Sequence, residues 1–244
     1  MRLTASWCPT QLHHLVSGDT RVIIFGVPYS VVSSVSTIAR CWFAATALVV
    51  IVGLAIQVPV AMDNESGFFT TPLTRGLNVF VFFTVQSNIL VAIGTALLAL
   101  GTDTRSTVFR AVRLTGLVAI TLTFVVFHAV LRDLQDLTGQ AAVADLLLHT
   151  VSPILCVSGW LMFGPRRLTS ARIVWASLVF LVAWGAFTLI RGPIVDWYPY
   201  PFMDPNEHSY GRIAMNLMII AAVFVGLSAG AHKLDEFLAR RQSD

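Results

Sequence analysis

Charge is scarce in this chain: Asp, Glu, Lys and Arg make up only 12% of its 244 residues, against about a quarter in a soluble domain. Water is therefore not its main solvent. Lysine is nearly missing, Lys233 standing alone beside fifteen arginines, and the net charge is +3. The arginines lie in small groups beside apolar segments rather than in one basic stripe, which excludes a nucleic-acid partner. Cys8, Cys41 and Cys156 form no CxxC, and no His pair stands at ligand spacing. A disulfide framework and a zinc site are thereby excluded, and no metal is expected. No nucleotide-binding motif occurs, so the reading has no cofactor and no ATP-driven chemistry. There is no strong internal repeat and no run of charge inside the apolar segments, both of which argue against a pump or transporter.

What is abundant is apolar surface: 56% of the residues are hydrophobic and the mean hydropathy is +0.75. A helix crosses a hydrocarbon layer in roughly 20 apolar residues. Runs of that kind predict spans at 37–60, 78–100, 112–131, 144–163, 172–192 and 212–231. The fold class is all-α, a polytopic membrane protein of six transmembrane helices. Three parts follow: an N-terminal cytoplasmic or interfacial segment (1–36), the six-helix domain (37–231) and a cytoplasmic C-terminal tail (232–244). The apolar stretch Val22 to Val32 is too short to span and contains Pro28 and Ser30, so a disordered or interfacial start is expected. Arginine and lysine resist translocation. Twelve basic residues lie in the N-terminal region, the second and fourth connections and the C-terminus, against Arg75, Arg132, Arg191 and Arg212 elsewhere. Both termini are thus expected in the cytoplasm of a multi-pass cell-membrane protein. The opposite loops are acidic, with Asp63, Glu65, Asp133, Asp136, Asp196, Asp204 and Glu207. The pair Gly226 and Gly230 in the last span suggests close helix packing.

Polar residues within the spans gather toward the outer leaflet. In Phe83-Thr84-Val85-Gln86-Ser87-Asn88, Thr84, Ser87 and Asn88 share one helix face, and His149, Ser152, Pro153 and Cys156 share another. Thr84 and His149 each lie about six residues inside their spans, or about 9 Å at 1.5 Å per residue, so they reach the same level. His128 is a third polar group able to join them, and Asp145 lies one turn above His149. A Thr hydroxyl becomes a nucleophile when a neutral His takes its proton. The same residues also serve as glue between helices, their hydroxyls bonding carbonyls of their own helix. Asp145 reads first as a cap for the fourth span and second as a partner that orients His149. His208 and His232 lie outside the spans and are expected in solvent. The fifth connection carries Trp197, Tyr198, Pro199, Tyr200 and Pro201, either an interfacial aromatic belt or a stiff lid over an outward-facing cavity.

Phe83 to Asn88, Leu148-His149-Thr150-Val151-Ser152-Pro153, and Trp197-Tyr198-Pro199-Tyr200-Pro201-Phe202 together resemble the six-spanning androgen-induced-gene-like membrane proteins, especially their bacterial branch, named Pr-six-Pr. With the matching hydropathy the likeness covers nearly all of the chain beyond residue 37. The animal members act as threonine hydrolases on fatty acid esters of hydroxy fatty acids, and the resemblance implies Thr84 as nucleophile and His149 as its partner, without implying the substrate of the bacterial branch. The animal proteins place one more residue between the His-Thr pair and the proline, so the match carries His149 and not Thr150 or Pro153. The expected function is a membrane-embedded lipid ester hydrolase, with Asn88 or His128 stabilising the oxyanion and a membrane lipid as substrate. The alternative is a non-enzymatic membrane protein, either a lipid or small-solute carrier or a structural subunit.

Overall fold

The computed structural model describes residues 35–102, 104–132 and 136–242, together with the backbone of 21–24 and 27–30. Asp133, Arg2, Cys8, His13 and His14 lie outside the described residues. At the N-terminus the apolar stretch pairs with itself: β1 (Arg21–Ile24) runs antiparallel to β2 (Val27–Ser30), with Arg21 opposite Ser30 and Ile24 opposite Val27. This strand pair belongs to a unit separate from residues 35–242.

Among the described residues, six helices are long and apolar enough to cross a membrane: α1 (Thr37–Asp63), α3 (Phe83–Leu100), α4 (Thr107–Leu131), α5 (Gly139–Phe163), α6 (Ala171–Val195) and α7 (Tyr210–Arg241). The short α2 (Pro72–Asn78) precedes α3. The protein is a multi-pass, all-α membrane protein. Four of these helices begin where the sequence supplies a serine cap. The Ser36 hydroxyl accepts from Ala39 N–H, Ser106 from Phe109, Ser170 from Ile173 and Ser209 from Arg212, each satisfying an otherwise orphan donor. The bundle packs α3 against both α1 and α4, with α5 against α1 and α4 on one side and α6 and α7 on the other. Gly116 on α4 permits the close α3–α4 approach, because a Cβ there would stand 3.2 Å from the Leu90 backbone. A buried cluster including Phe83, Leu122, Leu181, Trp184, Tyr200 and Phe224 joins α3, α4, α6 and α7.

Three departures from regular helix set up the site. The span expected at 78–100 is broken: a single three-ten turn covers Val79–Val81, Phe82 is extended (φ −67°, ψ 136°), and α3 starts at Phe83. Carbonyls freed by a break are costly in a membrane unless recaptured. Here Gln86 Nε2 donates to Phe80 O and Trp184 Nε1 donates to Val81 O, both at 3.0 Å. The second and third departures are π turns, Phe127–Leu131 in α4 and Leu147–Val151 in α5. Pro153 brings no N–H to the α5 ladder, and Ser152 N–H reaches back to Leu147 O. The Leu148 carbonyl is left for a side chain to satisfy.

At the other end of the bundle, Arg110 Nε donates to Leu168 O (2.6 Å) and Arg113 Nη1 to Pro165 O (2.9 Å). These arginines hold the fourth connection. Helix α7 continues through Arg241. One expectation is corrected here: His232, expected in solvent, lies half-buried with Nδ1 2.8 Å from Thr169 Oγ1. Gly226 and Gly230 face open space, with nothing within 4 Å of a Cβ at either position, so they pack no helix of this chain.

Candidate active site

Thr84 is the second residue of α3, 8% exposed. Its Oγ1 lies 3.2 Å from His149 Nε2. The expectation that both residues lie equally deep in uninterrupted helices is wrong in its premise, since α3 starts one residue before Thr84 and His149 sits in a π turn. They meet because the break at Phe82 and the widened turn in α5 aim both side chains into the same space. π turns are frequently found at functional sites.

His149 is held from two other directions. Its Nδ1 lies 2.9 Å from Asp145 Oδ1 and 3.3 Å from the Asp145 carbonyl, and its ring stacks on Phe127 at 4.0 Å and 14°. Asp145 lies well inside α5, which begins at Gly139, so it orients His149 and does not cap the helix. An ionised carboxylate only accepts. It therefore fixes the proton on Nδ1 and leaves the Nε2 lone pair facing the Thr84 hydroxyl, the division of labour of a nucleophile, base and orienting acid.

Asn88 and Ser87 serve the scaffold. Asn88 is fully buried; its Nδ2 donates to Thr84 O (2.9 Å) and Leu148 O (3.0 Å), and its Oδ1 accepts from Ser152 Oγ (2.6 Å). It takes up the carbonyl that the π turn and Pro153 leave free. With both amide donors engaged, Asn88 has none for an oxyanion, which corrects that expectation. Ser87 Oγ donates to Thr84 O (2.9 Å) and meets Thr123 Oγ1 at 3.0 Å, tying α3 to α4. His128 is not brought to Thr84: its Nε2 meets Thr150 Oγ1 at 3.2 Å, and Phe127 contacts both histidine rings.

Thr84 lines a narrow cleft of about 40 Å³ whose other walls include Leu122, Val126, Leu181, Trp184 and Phe202, well below the roughly 300 Å³ at which small-molecule sites begin. The fifth connection folds inward across it. Trp197 meets Phe69 and Phe82 edge-on at 5.6 Å each, and the Arg191 guanidinium lies over Phe69 (5.5 Å) and Trp197 (5.7 Å). Tyr198 packs directly on Gly192, where a Cβ would collide with its ring. Tyr200 stacks on Phe202 (5.2 Å) and meets Trp184 edge-on (5.9 Å). Pro199 and Pro201 bracket Tyr200 and restrict its backbone. Of this connection, Tyr200 and Phe202 form part of the cleft wall. Phe127 and Trp184 were not legible as site residues, since an aromatic within an apolar span carries no distinguishing signal.

Among the described residues no group of three or more His, Cys, Asp or Glu side chains is placed to hold a metal ion. Compared with protein-family models, curated proteins and solved structures, the chain matches none.

Proposed function

We propose that this protein is a membrane-embedded hydrolase of lipid carboxylic esters, similar in chemistry to the androgen-induced-gene-like threonine hydrolases that its sequence resembles. The observation that carries the reading is the relay Thr84 Oγ1, His149 Nε2, His149 Nδ1, Asp145 Oδ1, with separations of 3.2 and 2.9 Å, opening onto an apolar cleft.

In the acylation step Thr84 Oγ1 bonds to the ester carbonyl carbon while its proton passes to His149 Nε2. The carbonyl π pair moves onto oxygen. Collapse of the tetrahedral adduct expels the alkoxide, which takes the proton from His149 and leaves as an alcohol. Water then attacks the acyl-Thr84 ester with His149 again as base, and releases a carboxylic acid. The Asp145 carboxylate stabilises the imidazolium. The arginine distribution supports cytoplasmic termini, which puts Thr84 on the outer-leaflet side, where a membrane lipid arrives laterally.

The test is turnover of p-nitrophenyl laurate in mixed micelles by purified protein. Thr84→Ala and His149→Ala are each expected to lose a factor of about 100 or more, the scale of a positioned base. The double variant is expected to be little worse than either, because the two act as a unit. Folded single variants that hydrolyse as the parent does would overturn the proposal in favour of a carrier or structural subunit.

A further inference from the structure

An acyl-transfer site needs a donor for the oxygen on which negative charge develops, and the geometry of Asn88 and His128 leaves that position unfilled by either. The cleft offers another group. Tyr200 is 8% exposed and lines the same cleft as Thr84. Its hydroxyl faces the Thr84 side chain and the backbone N–H groups of Phe83 and Thr84. Those amides belong to the first turn of α3, whose N-cap, Phe82, has no side chain able to cap it, so the helix itself gives them no partner.

We infer that Tyr200 is a catalytic residue, the hydrogen-bond donor that with the Thr84 N–H receives the oxyanion of the tetrahedral intermediate. The inference rests on the hydrolase reading of Thr84 and His149. The phenol thus stands beside Thr84 and the first-turn amides in the cleft, and its O–H is a donor next to the reacting atoms. When Oγ1 bonds to the carbonyl carbon, the former carbonyl oxygen lies one bond beyond that carbon, within a small rotation of the same O–H. Tyr200 donates a hydrogen bond and keeps its proton, so the proton balance of the acylation step is unchanged. Burial raises the Tyr200 pKa above its ordinary value of 10.0 despite its bonds to Thr84 and Phe83, which keeps the phenol in its donating form. The ring is fixed by Phe202, Trp184 and Phe82, at centroid distances of 5.2, 5.9 and 6.0 Å. The donor is thus preorganised, as an oxyanion site requires.

Tyr200→Phe removes the hydroxyl and keeps the stacked ring. Losing one oxyanion donor costs about 100- to 1,000-fold in kcat. The variant is expected to lose that factor in kcat on p-nitrophenyl laurate, with KM within about threefold, since a donor engaged mainly in the transition state affects kcat. Labelling by a lipophilic fluorophosphonate, whose phosphoryl oxygen takes the oxyanion position, is expected to slow by about the same factor. Thermal unfolding of Tyr200→Phe read alongside excludes misfolding. A Tyr200→Phe protein that retains parental kcat and labelling rate, while Thr84→Ala has lost both, overturns the role of Tyr200 and leaves the hydrolase reading intact. If Thr84→Ala also retains them, the hydrolase reading itself falls, and this inference with it.

Discussion

Replacing Asp145 by Asn tests whether the carboxylate orients His149 or merely stands beside it. The change preserves shape and removes the charge that holds the proton on Nδ1. In a serine protease the equivalent change costs about 10,000-fold in kcat, because an amide can present N–H to the imidazole and enforce the wrong tautomer. The geometry here predicts a smaller loss. His149 Nδ1 has a second acceptor, the Asp145 backbone carbonyl at 3.3 Å, which still selects the productive tautomer in part of the molecules. The lost term is then mainly stabilisation of the imidazolium by a charge at 2.9 Å, partly open to solvent and so weakened by screening. We expect kcat to fall by about 100-fold, at the lower end of the range for a positioned base and well short of the loss for a wrong tautomer. Asp145→Ala, which cannot offer a competing N–H, should be less impaired than Asp145→Asn. The assay is turnover of p-nitrophenyl laurate in micelles, with thermal unfolding to show that each variant is folded. Parental turnover in Asp145→Asn would refute the orienting role, and an alanine variant worse than the asparagine one would refute the tautomer argument.

Asn88→Ala should behave as a structural lesion: three hydrogen bonds vanish at a fully buried position, two of them between helices, and at about 0.6 kcal/mol per interhelical bond plus a cavity the bundle should lose about 2 kcal/mol, read by thermal or denaturant unfolding in detergent. A stable Asn88→Ala protein with selectively reduced kcat would instead return Asn88 to the oxyanion. For topology, reporters fused after Arg241 or within 164–171 should report cytoplasm and one near Asp204 the outside; an external signal from the C-terminal fusion would overturn the orientation.

The six spans were legible because a bilayer demands long apolar runs and this chain has little else. Their ends were less so. Helix α7 runs past its apolar stretch through Asp235 and Glu236 because polar residues there find partners on the fourth connection, as Thr169 does with Asp235 Oδ2 at 3.1 Å. The break at Phe82 was hidden, since Val79 to Phe83 is apolar and has neither glycine nor proline; tertiary bonds from Trp184 and Gln86 stabilise it. Thr84 and His149 stood out as polar groups in apolar helices. Asp145 was misjudged because the fourth helix starts at Gly139, earlier than its apolar run, which turns a supposed cap into an i, i+4 partner of His149. Tyr200 was grouped with the aromatic motif as a whole, and its particular role depends on a loop fold that no local pattern encodes.

The central claim is that the Thr84 hydroxyl is an activated nucleophile, and covalent capture tests it most directly. Purified protein in detergent is treated with a lipophilic fluorophosphonate, digested, and the modified peptide sequenced by mass spectrometry. The account predicts one adduct, on Thr84, absent from Thr84→Ala and slowed by about 100-fold or more in His149→Ala. An adduct on another residue, or undiminished labelling of folded Thr84→Ala protein, would contradict it.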